Sequence, residues 1–431
     1  MAQPLPLEGF TILEVADIWA GPFAVTLLAD MGAKVIKVEA IQRFRSRGQQ
    51  IHPPPNSPGY PENVPGERPW NRAVGFNWVN RNKLGITLDL TRLRGVELYK
   101  QLVKMSDVIL ENFAAGTMER LGIDYPVMKE VKPDIIMISM PGFGVAGSYK
   151  GYVGLGMIFD AMAGHAAIRG YPDREPPGTS GTVHTDMVSA LTGAFAVLVA
   201  LHYKSRTGKG QFIDLSQVEG FIPHLGEVIL DYTINKRLQK PVGNRHPFMA
   251  PHGVYRCKGT DKWIAIAISS DKEWQQFCQA LGNPPWSQRE EFSGMLSRLK
   301  HQDELDKLIE EWTAEHDHYE IMELLQKAGV PSGPILDNQE IYSDPHVKGR
   351  GFFEVVAHPE AGTHPYPGML WKMSKTPGSI RQPTNCLGEH NEYVFKTMLG
   401  LSDDEIAELA KEEIIGTVPL EGSEVSKRDL M

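Results

Sequence analysis

The stretch Thr11-Ile-Leu-Glu-Val-Ala-Asp-Ile-Trp-Ala-Gly-Pro-Phe-Ala-Val-Thr-Leu-Leu-Ala-Asp-Met-Gly-Ala-Lys-Val-Ile-Lys-Val38 decides the fold. Thr11–Val15 reads as a buried strand. Gly21-Pro22 opens a helix that runs through Met31, Gly32 stops it, and Lys34–Val38 forms the next strand. Proline just inside a helix start and glycine just past its end is the favoured polarity. The same alternation continues outward. Gly85–Leu90, Asp107–Glu111, Asp134–Ser139 and Gln211–Leu215 read as strands, with helices near Gly95–Met105 and Val127–Lys132. Strands that alternate with helices predict an α/β fold built on a doubly wound parallel sheet.

Beyond Pro141 the chain turns rich in glycine, proline and aromatics. A helix is expected from about Asp186 to Tyr203, with Met187, Leu191, Ala194, Phe195, Leu198 and Leu201 on its apolar side. Helices near Val218–Arg237, a strand pair (Gly253–Arg256 and Lys262–Ile268) and helices near Lys272–Leu281 and Asp303–Gly329 follow. This predicts a large nucleotide-type domain over residues 1–205, a linker over 206–224 and a smaller α+β domain over 225–330. Residues 331–431, loop and strand with a last helix near Asp403–Lys411, return to the large domain. At roughly 150 residues per domain, 431 residues suit such a division.

Lys and Arg number 44 against 53 Asp and Glu, a formal charge of −9, so no general positive field supports binding of nucleic acid or an anionic membrane. The longest apolar run, Leu191–Leu201, falls short of the roughly 20 residues that span a bilayer. Three scattered cysteines, Cys257, Cys278 and Cys386, build neither a disulfide framework nor a four-thiolate zinc site. A cytoplasmic protein with reduced thiols is expected. Among the histidines, His184, His246 and His252 included, no pair has the H-E-x-x-H spacing of a zinc helix, so no metal is expected. Gly142-Phe-Gly144-Val-Ala-Gly147 matches a dinucleotide fingerprint and follows a strand. The text after it is poor helix material, which argues against nicotinamide or flavin. Asp186 follows Gly178-Thr-Ser-Gly-Thr-Val-His-Thr and opens the long helix. Two readings stay open for it: a helix N-cap, or a carboxylate kept ionised by the helix terminus and able to act as a nucleophile.

The chain resembles the class III CoA-transferases, a family that also includes the α-methylacyl-CoA racemases. The resemblance rests on Leu7-Glu-Gly-Phe-Thr-Ile-Leu, Ala20-Gly-Pro, Leu28–Glu39, Asn82-Lys83, Glu111-Asn-Phe, Gly116–Gly122, Arg206–Gln211, Gly329–Pro334 and Leu387-Gly-Glu-His390. These blocks stand in order over about nine-tenths of the chain. The resemblance implies ring-shaped subunits threaded through one another as an interlocked dimer, either a homodimer or a heteromer with a paralogous subunit. It implies CoA transfer from an acyl-CoA to a carboxylic acid, with coenzyme A as substrate and Asp186 as the nucleophile. Covalent aspartyl anhydride and aspartyl-CoA thioester intermediates would be stabilised by backbone N–H groups of the glycine-rich segments. Trp19, Ala20, Leu88, Asn112, Phe113, Ala114 and Arg120 match CoA contacts.

Ala40, Thr91 and Gly154 stand where the family has cations, and Arg43, Arg45, Arg92 and Lys150 are candidate replacements. Gly156 and Met157 replace a Tyr-Glu pair, which suggests a roomier acyl site, and Arg245, His246 and His252 could pair with a substrate carboxylate. The loop Asn244–Gly253 resembles transferases of aromatic-acid breakdown, succinyl-CoA:benzylsuccinate CoA-transferases among them, which points to succinyl-CoA as donor. A racemase would need a histidine where Leu155 stands, and Leu155 takes no proton. Racemisation of a 2-methylacyl-CoA and a non-catalytic subunit of a heteromeric transferase are the alternatives.

Overall fold

A computed structural model describes residues 4–43, 47–48, 50–174 and 183–423. Arg45 and residues 178–182 lie outside them. The chain divides into two compact units.

The first takes in the described residues within Met1–His165, Gly181–Asn235 and Gly351–Met431. Its strands are β1 (Thr11–Val15), β2 (Lys34–Glu39), β3 (Lys83–Thr87), β4 (Val108–Glu111), β5 (Ile136–Ser139) and β6 (Phe212–Asp214). They form one sheet in the order β3-β2-β1-β4-β5-β6, and every neighbouring pair is parallel. The expected α/β fold with a doubly wound parallel sheet is what forms. Strands covered on both faces read as near-continuous apolar runs, as Thr11–Val15 and Ile136–Ser139 do. Helix α1 (Ala20–Asp30) follows β1, α2 (Leu93–Lys104) precedes β4 and α3 (Tyr125–Val131) precedes β5. Strand order reverses between β1 and β4, and the crevice beyond their carboxyl ends is where open α/β sheets bind ligands.

Helix α4 (Gly156–Met162) and the 24-residue α5 (His184–Thr207) complete the layer around α1. All eleven residues of α1 are buried. The face of α5 that packs inward is made of small residues, Ser189, Ala190, Gly193, Ala194, Val197 and Ala200, with Leu201. A Cβ on Gly193 would stand 2.8 Å from the Met140 sulfur. This corrects the expected core face. Ala194 and Leu201 are buried, but Leu191, Phe195, Val199 and Tyr203 are exposed, Phe195 by 67%. Close approach to α1 selects small side chains, so the larger ones point away. Among the described residues α5 is the one helix long and apolar enough to cross a membrane, and its small-residue face is packed inside the protein.

The second unit takes in the described residues within Ala166–Ser180 and Lys236–Arg350. An antiparallel sheet of β7 (His252–Arg256), β8 (Trp263–Ala267) and β9 (Ser332–Ile335) carries the helices Asp271–Ala280, Gln302–Thr313 and His318–Lys327. Ile264, Ile266, Trp274, Phe277, Phe292, Leu305 and Ile321 make its core. Ser270 and Asp317 cap two of the helices with their side chains. Past Ser332 the chain is more helical than expected, with short helices at Asn338–Ser343 and Pro345–Gly349.

The C-terminal stretch packs on the first unit. Asn82 Oδ1 accepts from the Arg381 and Gln382 amides, and Asp30 pairs with Arg81 at 2.7 Å. Deeper still, Lys37 and Lys83 each place Nζ 2.8 Å from one oxygen of Glu14, all three side chains fully buried. Burial pulls the Lys83 ammonium down to about 7 against the pull of Glu14. Lys37 also donates to the Ala16 carbonyl and Lys83 to the Pro22 carbonyl, both at about 2.8–2.9 Å. The charged triad therefore braces both ends of the loop that leaves β1.

Candidate active site

That braced loop, Ala16–Pro22, lies at the sheet's switch point and carries Trp19 and Ala20. Gly21 is the only residue type that fits there, since a Cβ would lie 2.7 Å from Ala16 Cβ and 3.0 Å from Asn112 Cγ. Asn112, just past β4, clamps the loop: its Oδ1 accepts from the Asp17 amide and its Nδ2 donates to the Asp17 carbonyl, both at 2.8 Å. Ile18, a β-branched residue, is held at φ +64° between Asp17 and Trp19. Such a conformation persists only where surrounding contacts over-determine it. The Phe113 amide donates to Glu111 Oε2 at 2.7 Å, and burial pushes the Glu111 carboxyl up to about 7.

Arg43 stands over the Phe113 ring, 5.1 Å to its centroid, and 3.7 Å from Asp17. Of the described candidate replacement cations, Arg43 is the one held against a CoA-matching residue, Phe113. Arg92 lies 3.8 Å from Asp89 and is largely exposed, and Lys150 is exposed. Arg120 follows Gly116, at φ +85°, and donates to the Thr117 hydroxyl. Ala114 is exposed beside them. Leu88 is 1% exposed and packs in the core with Leu13 and Ile36, so it supports the crevice from below rather than lining it. The Gly142–Gly147 turn leads into no helix before Gly156. Its Val145 amide donates to Asp214, and Gly142 makes room for the Phe159 ring.

Asp186 is the third residue of α5 and 9% exposed. It is not the cap of its helix, which corrects the first of the two sequence readings. Asp160, from α4, does that work: its Oδ1 accepts from the Thr185 amide at 2.9 Å and from the Thr185 hydroxyl, and its Oδ2 accepts from the His184 amide at 3.4 Å. Burial pushes Asp160 up, but these donors more than offset it and hold the carboxyl below the usual range. Asp186 has no such help. Burial, then the negative charge of Asp160, pushes its carboxyl up to about 6. Desolvation outweighs the terminal dipole, so the carboxyl ionises later than the sequence reading expects, though at about 6 it is still largely ionised at neutral pH.

Gly156 explains how Asp186 fits. A Cβ on it would come within 2.0 Å of Asp186 Oδ2 and within 2.0 Å of Val183 Cγ1. The space left by the missing side chain is thus taken up by the carboxylate and Val183. Met157 beside it is 66% exposed. The second unit holds the other candidate substrate groups. Arg245 Nη2 is 2.7 Å from both Asp303 and Asp306, so its charge is already paired there. His246 Nδ1 accepts from the Phe248 amide at 3.2 Å, and His252 Nδ1 lies 2.7 Å from the Asn244 carbonyl oxygen. Sequence reasoning missed Asp160, Glu14 and Lys37, since each acts through a long-range contact that no spacing displays.

A desolvated carboxylate in a unit built on a nucleotide-type sheet suits acyl chemistry, and known proteins agree. The family model described as CoA-transferase family III matches residues 7–391. A succinyl-CoA–D-citramalate CoA-transferase of Chloroflexus aurantiacus is 34% identical over 413 residues, 96% of this chain and 98% of that one. A succinate–glutarate CoA-transferase of Agrobacterium fabrum is 31% identical over 395 residues, covering 90% and 95%. The crystal structure of a CAIB/BAIF family protein from Brucella suis superposes with a TM-score of 0.82 at 30% identity, over 92% of this chain and all of that one. With matches spanning nearly its whole length, the chain belongs to CoA-transferase family III and is a CoA-transferase.

Proposed function

We propose that the protein moves CoA from succinyl-CoA to a second carboxylic acid, with Asp186 as the covalent nucleophile. The observation that carries this reading is a buried carboxylate that no side chain or amide is bonded to among the described residues, seated against Gly156 in a chain of this family. A carboxylate stripped of water is a better nucleophile than a solvated one. Asp186 attacks the thioester carbonyl, and the tetrahedral oxyanion collapses by expelling CoA thiolate to leave a mixed anhydride. The thiolate attacks the aspartyl carbonyl of that anhydride and releases succinate, leaving an aspartyl-CoA thioester. The acceptor carboxylate attacks this thioester and again frees CoA thiolate. The thiolate then attacks the acyl carbonyl of the second anhydride, giving the new acyl-CoA and restoring Asp186. Each step exchanges one activated acyl group for another, so none needs an external energy source.

In this reading CoA lies along the crevice beyond β1 and β4, against Trp19, Ala20, Asn112, Phe113, Ala114 and Arg120, with Arg43 toward its phosphates. Leu88 backs the adenine end. Gly156 and Met157 border the acyl group. The donor follows the succinyl-CoA named for relatives. The exposed stripe Leu191–Phe195–Val199–Tyr203 on α5 favours a second subunit packed on that face, as expected of an interlocked dimer. That subunit is another copy or a paralogue, since relatives include alpha and beta subunits of a succinyl-CoA–L-malate CoA-transferase.

Intact-mass measurement after mixing with succinyl-CoA tests the mechanism. A donor-dependent adduct that hydroxylamine captures at Asp186 is the expected result. An adduct that persists in Asp186→Ala would place the nucleophile elsewhere.

A further inference from the structure

We propose that Asp160, His165 and His184 form a binding site for one divalent transition-metal ion of the zinc class. The three residues come from α4, the start of the short helix His165–Ile168 and the first position of α5. They meet at one carboxylate oxygen: Asp160 Oδ2 lies 3.7 Å from His165 Nδ1 and 3.7 Å from His184 Nδ1. All three ligand atoms fall within 4.8 Å of one another. A separation of 3.7 Å is too long for an N–H···O hydrogen bond, whose usual range is about 2.7–3.2 Å. It is close to the edge of a tetrahedron around zinc. Metal–ligand distances of about 2.0–2.2 Å give edges of roughly 3.3–3.5 Å, so the two carboxylate–imidazole edges need close by only a few tenths of an ångström, and the imidazoles turn toward each other from within 4.8 Å.

The surroundings add what a metal site needs. Asp160 is 5% exposed, and its other oxygen is fixed by the Thr185 amide and hydroxyl. Outer hydrogen bonds of that kind hold a ligating carboxylate in one orientation. The two imidazole rings stand at 83° to one another with centroids 4.9 Å apart, so both present Nδ1 to the same point without stacking. His184 is 44% exposed and leaves an approach for the ion and a fourth position for water or another donor. Two imidazoles and one carboxylate suit zinc, cobalt or nickel rather than magnesium or calcium, which take oxygen ligands. The spacing 160, 165 and 184 matches no helical zinc motif, which is why the sequence predicts no metal.

The test uses the full chain freed of metal with EDTA and titrated with Co2+, followed by visible absorption and then by Zn2+ competition. The expected result is one equivalent of Co2+ with the intense d–d bands of a tetrahedral centre, displaced by Zn2+. His184→Ala and His165→Gln should each weaken binding at least tenfold. Asp160→Asn should do so too while keeping an acceptor for Thr185, and His346→Ala, a surface histidine elsewhere, should change nothing. Weak octahedral spectra, sub-stoichiometric binding, or affinity unchanged in the first three variants would overturn the proposal. None of these readouts depends on transferase activity, so the mechanism proposed for Asp186 stands or falls separately.

Discussion

Replacing Asp186 with Asn removes a charge that folding has desolvated, and the consequence for stability can be worked out in advance. The carboxyl rises from its ordinary value of 3.8 to about 6 on folding, through burial first and the Asp160 charge second. At about 1.4 kcal/mol per pH unit, ionised Asp186 costs the native state about 3 kcal/mol. The sign follows from proton binding. Between pH 3.8 and 6 the native state holds a proton that the unfolded chain has lost, so stability falls as pH rises through that window. Below it both states are protonated and the cost vanishes; above it the cost is complete. Asp186→Asn keeps the size of the side chain and escapes the cost. The assay is urea unfolding of both proteins from pH 4 to 8 with EDTA present, so that no ion sits beside Asp160. The variant should be about 3 kcal/mol more stable at pH 8, the gap shrinking to near zero by pH 4, while transferase activity is lost. A gap that is absent, or that does not change with pH, would refute the picture of a desolvated nucleophile.

Three further perturbations probe the frame around it. Gly156→Ala puts a methyl group where Asp186 Oδ2 and Val183 sit. It should cost about 1–3 kcal/mol in thermal unfolding and more than tenfold in kcat, whereas an open acyl pocket at this point would tolerate it. Glu14→Gln leaves Lys37 and Lys83 buried beside a neutral partner. A broken buried pair typically costs 3–5 kcal/mol, and the loss should fall at the lower end because Lys83, already drawn down to about 7, sheds its proton. A denaturation midpoint equal to wild type would show the triad to be dispensable. Phe195→Lys charges the exposed stripe of α5 and should reduce the assembly mass seen by light scattering while leaving the far-ultraviolet spectrum intact; an unchanged mass would put the partner on another face.

The sheet was legible because most strands are short apolar runs rich in isoleucine and valine, set between helices such as α1 that carry proline at the start and glycine past the end. What failed to show was anything set by distance across the chain. Counting apolar residues along α5 chose Leu191 and Phe195 for the core, because large side chains dominate a hydrophobicity pattern. The core in fact took Ala190, Gly193 and Ala194, because α1 approaches too closely for anything larger. The proposed nucleophile followed the same rule. Asp before an apolar helix is most simply a cap, and the cap exists, but it is Asp160, 26 residues earlier in the chain. That exchange of roles changes the chemistry. A capping carboxylate is stabilised by the donors it satisfies and so is a poor nucleophile, whereas the residue relieved of capping is left desolvated and beside a like charge. The two acids on α4 and α5 thus have opposite pKa displacements, one below and one above the ordinary value. Their division of labour supports the proposal that Asp186 is the reactive member.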